Sequence, residues 1–217
     1  RSIHRNYDLL LQHPLGVVGE HTTRVAHCLI GLPGAQLAAI RKVISHPQAL
    51  AQCERTLRSL PDVQPEAAYD TAGSVKILRQ KGDPCVAAIA SRYAAELYEM
   101  QILLENIEDN PANYTRFQVI AREASAAGDD AKTSIVFSLR NEPGALFKAL
   151  SVFALRNIDL TKIESRPQIG RPWEYLFYID FLGAISDLPC NNALKNLEEF
   201  APMLRVLGSY ARSKPIE

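Results

Sequence analysis

Lys132-Thr133-Ser134-Ile135-Val136-Phe137-Ser138-Leu139-Arg140-Asn141-Glu142-Pro143-Gly144-Ala145-Leu146 decides the fold of the C-terminal part of the chain. Lys132–Leu139 alternates as a strand, with side chains at every second position on one face. Pro143 then opens a helix through Arg156, because proline is tolerated in a first turn. Leu146, Ala149, Leu150 and Phe153 form its apolar stripe. Working outward, Ile158–Ser165 reads as a second strand. Arg171-Pro172 precedes a third strand, Glu174–Phe181. Asn191–Ala201 reads as a helix and Leu204–Tyr210 as a closing strand. That order is βαββαβ, the split arrangement of ferredoxin-like modules. The handedness of the two crossovers lets the halves interleave into one four-stranded antiparallel sheet with helices on one face.

Upstream, Glu123–Ala131 is small and polar and contains Gly128-Asp129-Asp130. It reads as a linker between residues 1–122 and 132–217. Before it, Ile3–Gln12 reads as a short helix stopped near Pro14. Leu15–Gly19 and Thr23–Gly31 read as strands, and Leu32-Pro33-Gly34 as a turn. Lys42–Ser45, Asp62–Ala67 and Val86–Ala90 are short strands. They alternate with helices over Pro47–Leu60, Asp70–Gln80 and Ser91–Tyr98. Asp70, Thr71 and Ser91 are candidate caps. That rhythm argues for an α/β lobe with a largely parallel sheet. Asn113–Arg122 is a further strand.

Hydrophobic residues make up 47% of the 217, enough for real cores. The 24 Lys and Arg balance 24 Asp and Glu, so neither nucleic acid nor an anionic membrane is expected as a partner. No apolar run approaches the roughly 20 residues of a membrane span. Cys28, Cys53, Cys85 and Cys190 form no C-x-x-C and no metal-ligand spacing. Reduced, mostly buried thiols are the expectation. The chain opens Arg1-Ser2-Ile3-His4, without Met, which reads as a fragment whose targeting segment would be out of view.

Five segments could carry chemistry. Ser45-His46-Pro47-Gln48, followed by Gln52-Cys53, and Asp70-Thr71-Ala72-Gly73 stand at helix starts, where N–H groups converge on anions. Asn113-Tyr114-Thr115-Arg116-Phe117 starts the strand before the linker. Asn141-Glu142-Pro143-Gly144-Ala145-Leu146 lies at a strand-to-helix turn where glycine permits close backbone approach. Glu164-Ser165-Arg166-Pro167 ends the second strand of the module, where Pro167 stops the ladder. Each alone is compatible with a cap, a structural ion pair or a strand end.

Together these segments resemble the prephenate and arogenate dehydratase family. Asn113-x-Thr115-Arg116-Phe117, Ser45-His46-Pro47-Gln48…Gln52-Cys53 and Asp70-Thr71-Ala72-Gly73 match motifs of its catalytic domain. Gly144-Ala145-Leu146 and Glu164-Ser165-Arg166-Pro167 match its C-terminal ACT domain. The resemblance runs from Ser2 to about Tyr210. It implies a two-lobed α/β catalytic domain of periplasmic-binding-protein type, with substrate between the lobes, followed by the ferredoxin-like ACT domain. The family's N-terminal elements precede the point where this chain begins, so the first lobe is expected to be incomplete, and the chain as given to show weak or no turnover.

The resemblance also implies roles. Thr115 is the catalytic residue. Asn113, Arg116, Phe117, Ser45, His46, Gln48, Thr71 and Ala72 bind prephenate or arogenate. Asn141, Pro143, Gly144, Ala145, Leu146, Glu164, Ser165, Arg166 and Pro167 bind L-phenylalanine as effector. The reaction would be decarboxylating dehydration of prephenate to phenylpyruvate, or of arogenate to L-phenylalanine. No metal and no organic cofactor is expected. A homodimer or homotetramer is expected, in the plastid stroma if the source is plant or algal and in the cytoplasm otherwise. Two other readings are an inactive fragment that only binds phenylalanine and a periplasmic-type ligand binder.

Overall fold

The structure, a computed structural model, describes residues 4–124, 127–128, 130–168, 170 and 173–213. Ser125, Ala126 and Asp129 of the expected linker, Arg171-Pro172 before the third strand of the module, and Ser2-Ile3 lie outside the described residues. In chain order the elements are α1 (His4–Gln12), β1 (Gly16–Arg24), β2 (Cys28–Gly31), β3 (Lys42–Ser45), α2 (Pro47–Gln52), α3 (Glu54–Ser59), β4 (Gln64–Ala67) and α4 (Thr71–Lys81). They continue with β5 (Val86–Ala90), α5 (Arg92–Leu97), β6 (Gln101–Leu104), β7 (Tyr114–Ala121), β8 (Ala131–Leu139) and α6 (Ala145–Ala154). The last are β9 (Leu160–Pro167), β10 (Tyr175–Leu182), α7 (Leu188–Glu198) and β11 (Met203–Ala211). Two compact units result: Arg1–Thr22 with Arg116–Glu217, and Thr23–Thr115.

The first unit is built on a four-stranded antiparallel sheet in the order β11-β8-β10-β9. This is the expected βαββαβ module. One face carries Ile135, Phe137, Ile179 and Phe181 against Phe153 of α6 and Leu197 of α7. The helix after β8 starts at Ala145 rather than Pro143, because Gly144 (φ 78°) takes the N-cap position in the left-handed region. The opposite face was expected to lack a helix. Instead Val136, Tyr178, Leu207 and Tyr210 bury Val17 of β1 and pack against Tyr7 and Leu11 of α1. Apart from Lys132, both parities of β8 are apolar or small, so both faces need cover.

β1 pairs with β7. Gly19 lies beside Val119, and Val25 N–H donates to the Asn113 carbonyl at 2.7 Å. One index rises as the other falls, so the ribbon is antiparallel. The unit boundary falls inside both of its strands. Residues 4–22 and 116–121 therefore pack with the C-terminal sheet, and the spatial division differs from the expected split at 123–131. Gly208 makes the docking possible: a Cβ there would lie 1.9 Å from the Val17 carbonyl oxygen.

A polar network under this ribbon links five strands. Arg116 of β7 pairs with Glu20 of β1 and Asp180 of β10. Arg116 also donates to the Tyr210 hydroxyl at 2.7 Å. Lys132 pairs with Glu20 at 2.7 Å, and Ser134 donates to Asp180 at 2.5 Å. Burial by itself raises the Glu20 carboxyl, but Lys132, the Ser213 N–H and Arg116 outweigh it and hold it below the usual carboxylate range. The unfolded chain then binds this proton more readily than the folded one. Glu20's contribution to stability is full above its ordinary pKa and is lost as pH falls through the depressed folded value. Glu20→Gln should therefore flatten the acid limb of the unfolding midpoint between about pH 5 and pH 2. An acid limb as steep as that of the parent chain would overturn this.

The second unit holds a five-stranded sheet in the order β4-β3-β5-β2-β6. β3 pairs in parallel with β4 and β5, whereas β2 pairs antiparallel with β5 and β6. The expected largely parallel sheet is thus parallel in only half of its pairings. β6 was not foreseen, because its four residues offer too short an apolar run. The expected strands Leu15–Gly19 and Thr23–Gly31 are redistributed as β1 and β2. The break falls at His27, whose N–H donates to the Glu108 carboxylate at 2.9 Å instead of to a strand. The expected helix Pro47–Leu60 divides into α2 and α3 at Cys53 (φ −120°, ψ 24°). Apolar clusters fill both faces, around Ile44, Val75 and Leu78 on one and Leu29, Val43 and Ile89 on the other.

Candidate active site and effector segments

β4, β3 and β5 run in one direction, so their carboxyl ends lie along one edge of the sheet. Ligands of open α/β sheets bind at that edge. Ser45 ends β3 beside Ala67, and the Ala68 N–H donates to its carbonyl at 2.8 Å. The buried Ser45 hydroxyl donates to the Ile89 carbonyl at 2.7 Å, so its proton is already engaged. His46 caps α2, its Nδ1 accepting from Gln48 N–H at 3.1 Å. The Gln48 side chain is exposed. Asp70 caps α4 by accepting from Gly73 N–H. A Cβ at Gly73 would lie 2.5 Å from an Asp70 carboxylate oxygen, which gives this glycine a steric reason. The N–H groups of Thr71 and Ala72 head the first turn, where a helix has no internal acceptor.

Asn113 joins this edge through a directed relay. Its amide Nδ2 donates to the Val25 carbonyl at 3.1 Å. That leaves Oδ1 to accept from Gln52 Nε2 at 3.2 Å. Gln52 Oε1 is then free to accept, so His27 Nε2 must donate at 2.9 Å. The relay ties the start of the Thr115 strand to the end of α2. Gln52 stands in the sequence as part of the Gln52-Cys53 pair that follows Ser45-His46-Pro47-Gln48, with no role of its own, and His27 does not stand out at all. Its signal is the rarity of a buried histidine. The Cys53 thiol is fully buried and pushed up to about 12, chiefly by burial and also by Asp109 and Glu108. It is no nucleophile.

Asn113 and Thr115 fall in the second unit, Arg116 and Phe117 in the first. Thr115 is half-buried and Phe117 exposed. Arg116 was expected to hold a substrate carboxylate, but its guanidinium faces Glu20, Asp180 and Tyr210. Burial opposes its charge, and Asp180, Tyr210 and Glu20 more than offset this and push its pKa above the ordinary value. The geometry makes it a structural cation.

The effector segments divide by the alternation of a strand. Ser165 pairs with Phe177 and Pro167 with Tyr175. Phe177 and Ala145 pack on the face covered by α6 and α7, so Ser165 shares the face of the Gly144-Ala145-Leu146 turn. Asn141 and Pro143 are exposed on the approach to that turn. Glu164 pairs with Tyr178 and Arg166 with Leu176, which belong to the other face. There Arg166 meets Asp8 of α1 at 2.5 Å, and the Tyr7 hydroxyl donates to Glu164 at 3.3 Å. The side chains of Glu164-Ser165-Arg166-Pro167, all expected at the effector site, are thus divided between the two faces of the sheet.

Sequence comparison gives the same two segments. Residues 2–125 match the prephenate dehydratase family and residues 133–199 the ACT domain. The arogenate dehydratase/prephenate dehydratase 2, chloroplastic, of Arabidopsis thaliana is 51% identical over 220 residues, covering 96% of this chain and 58% of that protein. The chain thus spans little more than half the length of the curated relatives it matches. The crystal structure of prephenate dehydratase in complex with L-Phe from Arthrobacter aurescens matches with a TM-score of 0.87 and 32% identity, over 100% of this chain and 74% of that one. A structure described as GqqA, a novel type of quorum quenching acylase, matches with a TM-score of 0.84 and 36% identity, over 99% and 77%. No helix among the described residues is long and apolar enough to cross a membrane. With the motifs seated at strand ends and helix starts, the βαββαβ module complete, and both segments matched in sequence and structure, the chain belongs to the prephenate dehydratase family, in the form that carries a C-terminal ACT domain.

Proposed function

We propose that the protein catalyses the decarboxylating dehydration of arogenate to L-phenylalanine or of prephenate to phenylpyruvate, under control by L-phenylalanine bound to the C-terminal module. The observation that carries this is the tie between Asn113 and Gln52, which sets the Thr115 strand against the edge holding Ser45 and α4. Relatives at about half identity are named for both substrates and as chloroplastic, which supports a plastid location. A homodimer or homotetramer fits an ACT module that binds its effector between subunits.

The chemistry asks little of the protein. The bond from the ring to its carboxylate carbon breaks and CO₂ departs. The released electron pair completes the aromatic ring as the C–O bond on the opposite carbon breaks. Hydroxide leaves and takes a proton to become water. Thr115 stands as the donor to that leaving oxygen. The Thr71 and Ala72 N–H groups at the head of α4 hold a carboxylate, with the helix dipole in their favour. His46 and Ser45 shape the turn from within, His46 Nδ1 accepting from Gln48 N–H and the Ser45 hydroxyl donating to the Ile89 carbonyl.

The test is calorimetric titration with L-phenylalanine, with prephenate and arogenate turnover measured on the same sample. Turnover with saturable binding is the expected result for the complete enzyme. Binding without turnover by this chain would favour the reading as a phenylalanine-binding module. Absence of both would overturn the proposal.

A further inference from the structure

Among the described residues β9 is the edge strand of its sheet, hydrogen-bonded to β10. Its two faces carry different cargo. Ser165 looks toward the side of Gly144, while Lys162, Glu164 and Arg166 look toward α1. There the strand is gripped from outside. Asp8 pairs with Arg166 at 2.5 Å. The Tyr7 hydroxyl donates to Glu164 at 3.3 Å and itself accepts from Lys162. The Tyr7 ring lies under the Lys162 ammonium, 4.3 Å away, and against the Tyr178 ring, 4.4 Å between centroids. The grip is not saturated. Arg166 Nη1 and the Tyr178 hydroxyl are buried without a hydrogen-bond partner among the described residues, beside the Asp8 carboxylate that already holds Nη2.

We infer that α1 is a clasp on the back of the effector strand, in which Tyr7 and Asp8 hold Glu164 and Arg166 so that Ser165 and Pro167 are preset for phenylalanine on the front. The inference rests on the effector reading above. Its logic is preorganisation. An edge strand supported only by β10 must be ordered when a ligand seats on it, and a clasp that has ordered it already removes that cost from binding. Linkage makes the effect reciprocal: whatever the clasp adds to phenylalanine affinity, phenylalanine adds to the hold on α1. α1 lies in the stretch matched to the dehydratase family, β9 in the stretch matched to the ACT domain. The clasp is therefore a direct contact from the regulatory strand to the dehydratase part of the sequence.

The experiment is calorimetric titration of the chain with L-phenylalanine, repeated on Tyr7→Phe, Asp8→Asn and the pair. Leu11→Ala, which loosens the apolar packing of α1 and leaves the polar grip intact, serves as control. The double variant should bind about tenfold more weakly, and Leu11→Ala close to the parent. Hydrogen exchange of residues 4–12 with and without phenylalanine reads the reciprocal effect and needs no variant. Exchange should slow on binding in the parent. No binding by the parent overturns the effector reading and the clasp with it. Binding by the parent that the double variant matches, or α1 exchange indifferent to phenylalanine, overturns the clasp alone.

Discussion

Thr115→Ala is expected to lower kcat for prephenate or arogenate by about 10²–10⁴-fold, the usual contribution of a positioned proton donor. KM should move little, because the bond to the leaving oxygen strengthens only as the C–O bond breaks. Thr115→Ser should recover most of the rate, since it keeps the hydroxyl and loses only a methyl group. Phenylalanine binding should be unaffected, because the effector segments belong to the other unit. Steady-state kinetics on an active preparation, with titration of phenylalanine beside it, decides the matter. An alanine variant with an intact rate would remove Thr115 from the chemistry.

Asp180→Ala carries the second large effect, on stability. Asp180 is 3% exposed and takes hydrogen bonds from Ser134 and Arg116. The network balances two cations, Arg116 and Lys132, against two anions, Glu20 and Asp180. Removing one anion strands a positive charge under the ribbon, and breaking a buried pair from one side costs about 3–5 kcal/mol. The paired change Arg116→Met with Asp180→Leu removes one charge of each sign and leaves Glu20 with Lys132. It should recover most of the loss, because an apolar substitute for a buried pair is often neutral. Urea unfolding of the three proteins tests this. A double variant no better than Asp180→Ala would mean that the network's hydrogen bonds, not its charge balance, hold the ribbon.

Much of this was legible in the sequence, because local rules govern it. The alternation of Lys132–Leu139, the cap at Asp70 and the punctuation at Gly144 each act within a few residues, and the elements appear where they point. Arg116 shows where local reading ends. In sequence it is a cation beside a candidate catalytic threonine. In space its partners lie 96 and 64 residues away along the chain, and no periodicity reports them. His27 and Gln52 are similar, joined across 25 residues by a hydrogen bond that depends on tertiary placement. Glu164 and Arg166 are a different case. The two-residue period of a strand already puts their side chains on the face opposite Ser165, and that separation is readable in the motif itself.

The path of the chain through the β1–β7 ribbon has a consequence for biosynthesis. Thr23–Thr115 is an insertion, interrupting a unit that begins before it and ends after it. The ribosome releases α1 and β1 before the insertion, yet among the described residues the strand that pairs with β1 is β7, which emerges after it. Glu20 lacks Arg116 until 96 further residues are made, and Tyr7 lacks Glu164 until 157 are made. The inserted sheet has all its strands in hand well before then, since local closure precedes distant closure. The nascent chain must therefore carry the amphipathic α1 and β1 uncovered while the insertion forms. These two elements precede the insertion in the chain yet are among the last to find their place, and translation has to reach β10 and β11 before Asp180 and Tyr210 can close over Arg116.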